Sequence, residues 1–201
     1  MHQYKGKMIL HTGSMFSGKT SSLWKDLNRF EIAKYKTVVF KPKLDNRYAD
    51  KEIVTHDNNK MKAIAVETIY EIVEYMKTSK ATVIGIDEVQ FIKGEIKDIV
   101  KILDTFLENG FTIVVAGLDM DFKSEPFEIV KEIMPRVDYL YKHHAVCANC
   151  GADAWVSYRK TQEGERIKLG AAESYEPLCR RCFYEKESEK KKMENQLEIK
   201  L

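Results

Sequence analysis

The chain has 201 residues, 44% of them hydrophobic and 32% charged, with a formal net charge of +2. That length allows one domain with at most a small appendage, and that apolar content builds a core and excludes disorder over the bulk. The near-neutral charge argues against nucleic-acid binding by field alone, residues 1–7 and the short apolar run after them do not read as a signal peptide, and no apolar stretch approaches a membrane span, so a cytoplasmic protein is expected.

In chain order, apolar Met8-Ile9-Leu10 leads into Gly13-Ser14-Met15-Phe16-Ser17-Gly18-Lys19-Thr20, which fits G-x-x-x-x-G-K-[ST]. A helical pattern follows, to about Ala33. Strand, loop and helix are the context a phosphate-binding loop requires. Glycines let the backbone wrap an anion, and successive N–H groups at a helix N-terminus point at it. Lys19 reaches the outer phosphates and Thr20 offers its hydroxyl to Mg²⁺.

Residues 37–40 read as a strand, which continues a βαβ pattern toward a parallel sheet. The polar stretches 41–51 and 55–60 read as loop, long enough across 41–60 to be functional or mobile. Residues 61–66 read as one short strand. Thr68 caps a helix carrying Ile69, Ile72, Val73 and Met76 at helical spacing. Residues 81–86 are a continuous apolar run that ends in Asp87-Glu88. This predicts a central strand whose carboxylates emerge at its C-terminal end, where open α/β sheets bind ligands. Asp87 and Thr20 are therefore expected to meet at one Mg²⁺.

Ile96, Ile99, Val100, Leu103 and Leu107 mark a further helix, ended by Asn109-Gly110. Residues 112–117 read as a buried strand running into Leu118-Asp119-Met120-Asp121-Phe122. Residues 126–134 read as a helix and 139–141 as a last strand. Residues 1–143 thus form an expected α/β nucleotide-binding domain, P-loop NTPase-like, with a parallel sheet flanked by helices.

From His144 the character changes. Cys147, Cys150, Cys179 and Cys182 form two C-x-x-C pairs, the first followed by Gly151. In a reducing compartment this spacing points to a closed, structural four-thiolate Zn²⁺ site, with redox chemistry the weaker alternative. Residues 144–184 read as a small zinc-ribbon unit carrying a loop suited to closing over a ligand. Residues 185–201 mix both charge signs densely and read as a solvated or frayed helical tail.

Phosphoryl transfer needs an anchored nucleoside triphosphate, Mg²⁺ and a group that positions the acceptor. Glu88 can activate water, giving an ATPase, or take a proton from a substrate hydroxyl, giving a kinase. Arg47 and Lys19 are candidates to neutralise developing charge. Phe91 and Phe122 are placed to sandwich a planar ring.

The Met15-Phe16-Ser17 interior of the loop, Asp45-Asn46-Arg47-Tyr48, Thr55-His56-Asp57, Asp87-Glu88-Val89-Gln90-Phe91, Gly117-Leu118-Asp119 and the two cysteine pairs with Tyr175 between them together resemble the zinc-containing cytosolic thymidine kinases. The resemblance runs from about Lys7 to Phe183. It implies transfer of the γ-phosphate of ATP to the 5′-hydroxyl of thymidine, and usually of deoxyuridine. It implies Glu88 as the base, Thr20 and Asp87 at Mg²⁺, and Gln90 and Arg47 on the nucleotide side. Phe91, Leu118, Phe122, Ser157, Ala172 and Tyr175 would bind the nucleoside, partly through a lasso loop. A homotetramer with dTTP as feedback inhibitor is also implied. Asn58, Lys168 and Ser157 depart from the residues usual in that family. A different class, a zinc-ribbon P-loop ATPase on nucleic acid, predicts a basic stripe, which the acidic residues Glu163, Glu165, Glu173 and Glu176 oppose.

Overall fold

A computed structural model of the chain describes residues 3–43, 52–54, 60–160 and 174–198. Strand β1 (Met8–Gly13) enters helix α1 (Lys19–Ile32), which returns to β2 (Thr37–Pro42). A hairpin of β3 (Glu52–Val54) and β4 (Lys60–Lys62) precedes β5 (Ile64–Val66) and α2 (Ile69–Thr78). Then follow β6 (Val83–Ile86), α3 (Ile96–Glu108), β7 (Thr112–Gly117), α4 (Glu128–Ile133) and β8 (Tyr139–His143). A second antiparallel hairpin, β9 (Val156–Arg159) with β10 (Tyr175–Leu178), leads into α5 (Arg180–Glu198).

The main sheet has six strands in the order β5-β2-β6-β7-β1-β8, and every pairing is parallel. Its central strands β1, β6 and β7 are buried on both faces, which is why they are largely apolar without alternation, whereas the edge strand β8 is largely exposed. Met8 and Leu10 of β1 join Ile113 and Val115 of β7 under α2, α3 and α4. Ile9 and Val114 face the other way, against Leu23, Leu27 and Phe30 of α1. Because all six strands run one way, Gly13, Asp87 and Leu118 emerge along one edge of the sheet. The expected parallel α/β architecture is the observed one.

Three local readings need correction. Lys41 and Pro42 continue β2, and Lys60 lies in β4, where the sequence suggested loop. Residues 61–66 do not form one strand: Lys60–Lys62 pairs antiparallel with β3, and Ile64–Val66 pairs parallel with β2. Alternation of short polar and apolar residues does not reveal a change of partner at Ala63. The helix expected over 126–134 is the shorter α4 with a 3-10 turn, Met134–Arg136, where Pro135 denies the next helical hydrogen bond. Helix α5 (Arg180–Glu198) runs unbroken into the stretch read as a solvated or frayed helix. No helix among the described residues is long and apolar enough to cross a membrane.

Candidate active site

The phosphate loop is shaped by close approach as much as by flexibility. Gly13 has φ 133°, and a Cβ added there would lie 2.1 Å from the His143 carbonyl oxygen at the end of β8. Gly18, at φ 81°, heads α1 with no side-chain cap, so the first helical N–H groups are left for an anion. Phe16, between them, holds a left-handed φ of 65°, a conformation that costs a side-chain-bearing residue about 1–2 kcal/mol. Its ring packs against the apolar core of the β9–β10 unit. Lys19 is buried, and its Nζ donates to the Ser14 carbonyl at 2.7 Å. Burial holds Lys19 below the ordinary ammonium range, against the opposing pull of Glu88, Asp87 and Asp119. The hydroxyls of Ser14 and Ser17 are buried with no hydrogen-bond partner among the described residues. Buried hydroxyls of this kind suit an incoming phosphate.

The strand end of β6 brings the two acids to this loop. Thr20 Oγ1 lies 3.2 Å from each carboxylate oxygen of Asp87. Burial, then the charge of Glu88, push the Asp87 carboxyl up to about 7, although Thr20, the Glu88 N–H and Lys19 act the other way. A carboxylate so short of counter-charge, touching a hydroxyl, fits a divalent cation.

Glu88 has φ 49° and ψ 45°, left-handed without being glycine. Strain of this sort persists only where the surroundings over-determine it, and here they do. The Glu88 N–H donates to Asp87 Oδ1 at 3.0 Å, and its carboxylate accepts from Gln90 Nε2. Gln90 Oε1 in turn accepts the Leu118 N–H at 3.1 Å. A backbone N–H can only donate, so the amide oxygen must face Leu118 and the NH₂ must face Glu88. Gly117 makes room for this clamp, since a Cβ there would lie 2.8 Å from Gln90 Oε1 and 2.8 Å from Val89 Cγ1.

The remaining expected residues divide into four groups. Ser157 on β9 accepts the Met15 N–H on its Oγ at 2.8 Å, and Tyr175, buried, opens β10 opposite Arg159. Leu118 is buried at the end of β7. Phe91 and Phe122 have separate partners: Phe91 meets Phe127 edge-on at 6.1 Å, and the Arg159 guanidinium covers one face of Phe122 at 3.7 Å. Arg47 and Ala172 lie outside the described residues, as do Asn58 and Lys168.

Several polar groups near the loop were given no role from the sequence. His11 is buried behind the loop, with Nε2 3.0 Å from Asp26 Oδ2 and Nδ1 3.0 Å from His143 Nε2. Asp119 is buried, with Lys142 Nζ 2.9 Å from its Oδ2. Arg159 is 4% exposed on β9. The available signal was polarity inside apolar strands, as at His11 in Met-Ile-Leu-His-Thr-Gly.

The four cysteine sulfurs lie within 4.8 Å of one another, with Cys150 and Cys179 Sγ 3.6 Å apart. Tetrahedral Zn²⁺–thiolate geometry separates sulfurs by about 3.8 Å, so this donor set fits the metal. Burial opposes ionisation of Cys147, but backbone N–H groups of Cys179, Asn149 and Cys150 outweigh it and bring the thiol down to about 6. Cys150 is pushed up to about 11 by hydrogen bonding with the other three cysteines, despite the Ala152 N–H. One thiolate forms readily and the next resists, which is the charge problem a bound cation solves.

A family model described as thymidine kinase matches residues 6–183. The chain belongs to the thymidine kinase family. The thymidine kinase of Rhodothermus sp. is 42% identical over 171 residues, covering 85% of this chain and 78% of its own. That of Bacteroides thetaiotaomicron is 36% identical over 179 residues, covering 89% and 87%. Among solved structures, flagellar accessory protein FlaH from Methanocaldococcus jannaschii superposes with a TM-score of 0.49 at 13% identity, covering 74% of this chain and 75% of that one. The match to the thymidine kinase family spans both the phosphate loop and the cysteine pairs, and it does not favour the nucleic-acid ATPase reading.

Proposed function

We propose that the chain phosphorylates thymidine, and deoxyuridine with it, on the 5′-hydroxyl at the expense of ATP. The observation that carries this reading is Glu88, strained and clamped by Gln90 next to the Asp87–Thr20 pair, in a chain of the thymidine kinase family. The phosphate loop from Gly13 to Thr20 holds the donor's phosphates, with Lys19 leaving the Ser14 carbonyl to meet them. Mg²⁺, when bound at Thr20 and Asp87, supplies neutralising charge for the transferred group.

Glu88 receives the 5′-hydroxyl proton as the 5′-oxygen bonds to the γ-phosphorus and the bond to the β–γ bridging oxygen breaks, releasing ADP. Gln90 keeps the carboxylate aimed through this step by holding one oxygen while Leu118 holds Gln90. Arg47 neutralises charge on the transferred group. Phe91, Leu118, Phe122, Ser157, Ala172 and Tyr175 form the nucleoside side. The four cysteines hold Zn²⁺ as a structural staple. The family resemblance extends this reading to a cytoplasmic homotetramer inhibited by dTTP.

The test is incubation with ATP, Mg²⁺ and a panel of nucleosides. The expected product is thymidine 5′-phosphate, with Glu88→Gln lowering kcat by about 10² or more while ATP still binds. ATP hydrolysis indifferent to any nucleoside would overturn the reading.

A further inference from the structure

The interior of the phosphate loop, Met15-Phe16, is where the C-terminal hairpin touches it. The Met15 N–H donates to Ser157 Oγ at 2.8 Å across 142 residues of sequence. The Phe16 ring packs against the cluster that includes Cys147, Val156, Leu178 and Cys182. These two residues are also where the loop is least able to shape itself. Phe16 sits at φ 65°, which its own side chain disfavours. An N–H of the loop given to Ser157 is fixed in direction before any phosphate arrives.

Ser157 is itself positioned by the cysteine cluster. It pairs with Pro177 across the hairpin, and the Ala148 N–H donates to the Pro177 carbonyl at 2.9 Å. The Trp155 N–H donates to the Leu178 carbonyl at 2.7 Å, one residue before Cys179. Both strands are therefore pinned at their cysteine ends, and Ser157 lies two residues beyond Trp155.

We infer that the zinc-stapled hairpin presets the donor site: Ser157 is a positioning residue that, with Phe16 packing, makes nucleotide binding depend on the metal even when no nucleoside is present. This rests on the phosphate loop binding ATP, and it goes beyond a zinc role confined to the nucleoside side.

The experiment measures ATP·Mg²⁺ affinity without nucleoside for zinc-loaded and chelator-stripped protein, in the wild type, Ser157→Ala and Ser157→Thr. Circular dichroism checks that the parallel sheet persists. Stripping is expected to weaken binding by about 10-fold in the wild type. Zinc-loaded Ser157→Ala is expected to lose about 5-fold, the size of one hydrogen bond, and to lose less than the wild type on stripping, since the two act through one connection. Ser157→Thr keeps the hydroxyl and the full zinc dependence. Hydrogen exchange of the Met15 amide gives a second readout: slow in zinc-loaded wild type, faster in Ser157→Ala whether or not zinc is stripped. Equal ATP affinity with and without zinc, or a slow Met15 amide in Ser157→Ala, overturns the inference. Absence of ATP binding by zinc-loaded wild type would instead overturn the donor-site reading beneath it.

Discussion

Asp87 is held where it is useful to a cation and costly to the fold. Its carboxyl is raised from its ordinary 3.8 to about 7 by burial first and Glu88 second. Between those values the folded chain retains a proton that the unfolded chain has released. Metal-free stability should therefore fall as pH rises through that window, with the loss complete above about 7. Asp87→Asn keeps an acceptor for the Thr20 hydroxyl and the Glu88 N–H but removes the buried charge. It is expected to raise the metal-free Tm at pH 8 by on the order of 5 °C and to have little effect at pH 5. The same variant should lose nearly all kinase activity. A calorimetric scan at the two pH values decides this, and an unchanged Tm at pH 8 would argue that Asp87 carries no buried charge.

Glu88 was legible in sequence as an acid at a strand end, but its left-handed backbone was not, because nothing in Asp-Glu-Val-Gln-Phe announces a positive φ. Gln90 was readable only as a neighbour of the nucleotide. Its clamp on Glu88 depends on Leu118, 28 residues away. Gly117 read as a strand end and a motif residue with no stated part in the site, yet the Gln90 amide packs against it. Gly117→Ala is expected to leave both KM values near wild type and to lower kcat by about 10-fold or more through a displaced carboxylate. A kcat equal to wild type would show that Gln90 tolerates the methyl group without moving Glu88.

Among the elements, α2 and α3 were the most readable, because apolar residues three and four apart leave little choice of face. Thr68 and Glu71 close a capping box at the start of α2, with Glu71 Oε1 accepting the N–H groups of Glu67 and Thr68 at 3.0 and 3.2 Å. Thr68→Ala should cost about 1 kcal/mol of stability, read by denaturant titration, with kcat unaltered. Short strands were the least readable. At three residues each, β4 and β5 carry too little pattern to declare which neighbour they join. The β9–β10 pair falls inside the unit read from the cysteine spacing as a zinc ribbon, but its two strands were not placed individually. Its hydrogen bond to the phosphate loop was not foreseen, since no local rule connects Ser157 to Met15.

Across the whole molecule, the parallel sheet followed from the order of apolar runs and helical patterns, while the order of strands within it did not. That order has a consequence for synthesis. Strand β1 is made first, and it lies between β7 and β8, the last two strands of the sheet to be made. Both of its hydrogen-bonding edges therefore stay open until nearly 100 residues have followed it, from Gly13 to Thr112. Pairings this distant in sequence close slowly and leave an unpaired strand exposed meanwhile. A ribosome-bound chain ending at residue 110 should therefore be digested readily at β1 by added protease, whereas one long enough to present residue 160 outside the exit tunnel should protect it. The loop proposed to grip the nucleotide is translated ahead of five of the sheet's six strands and acquires its shape nearly last.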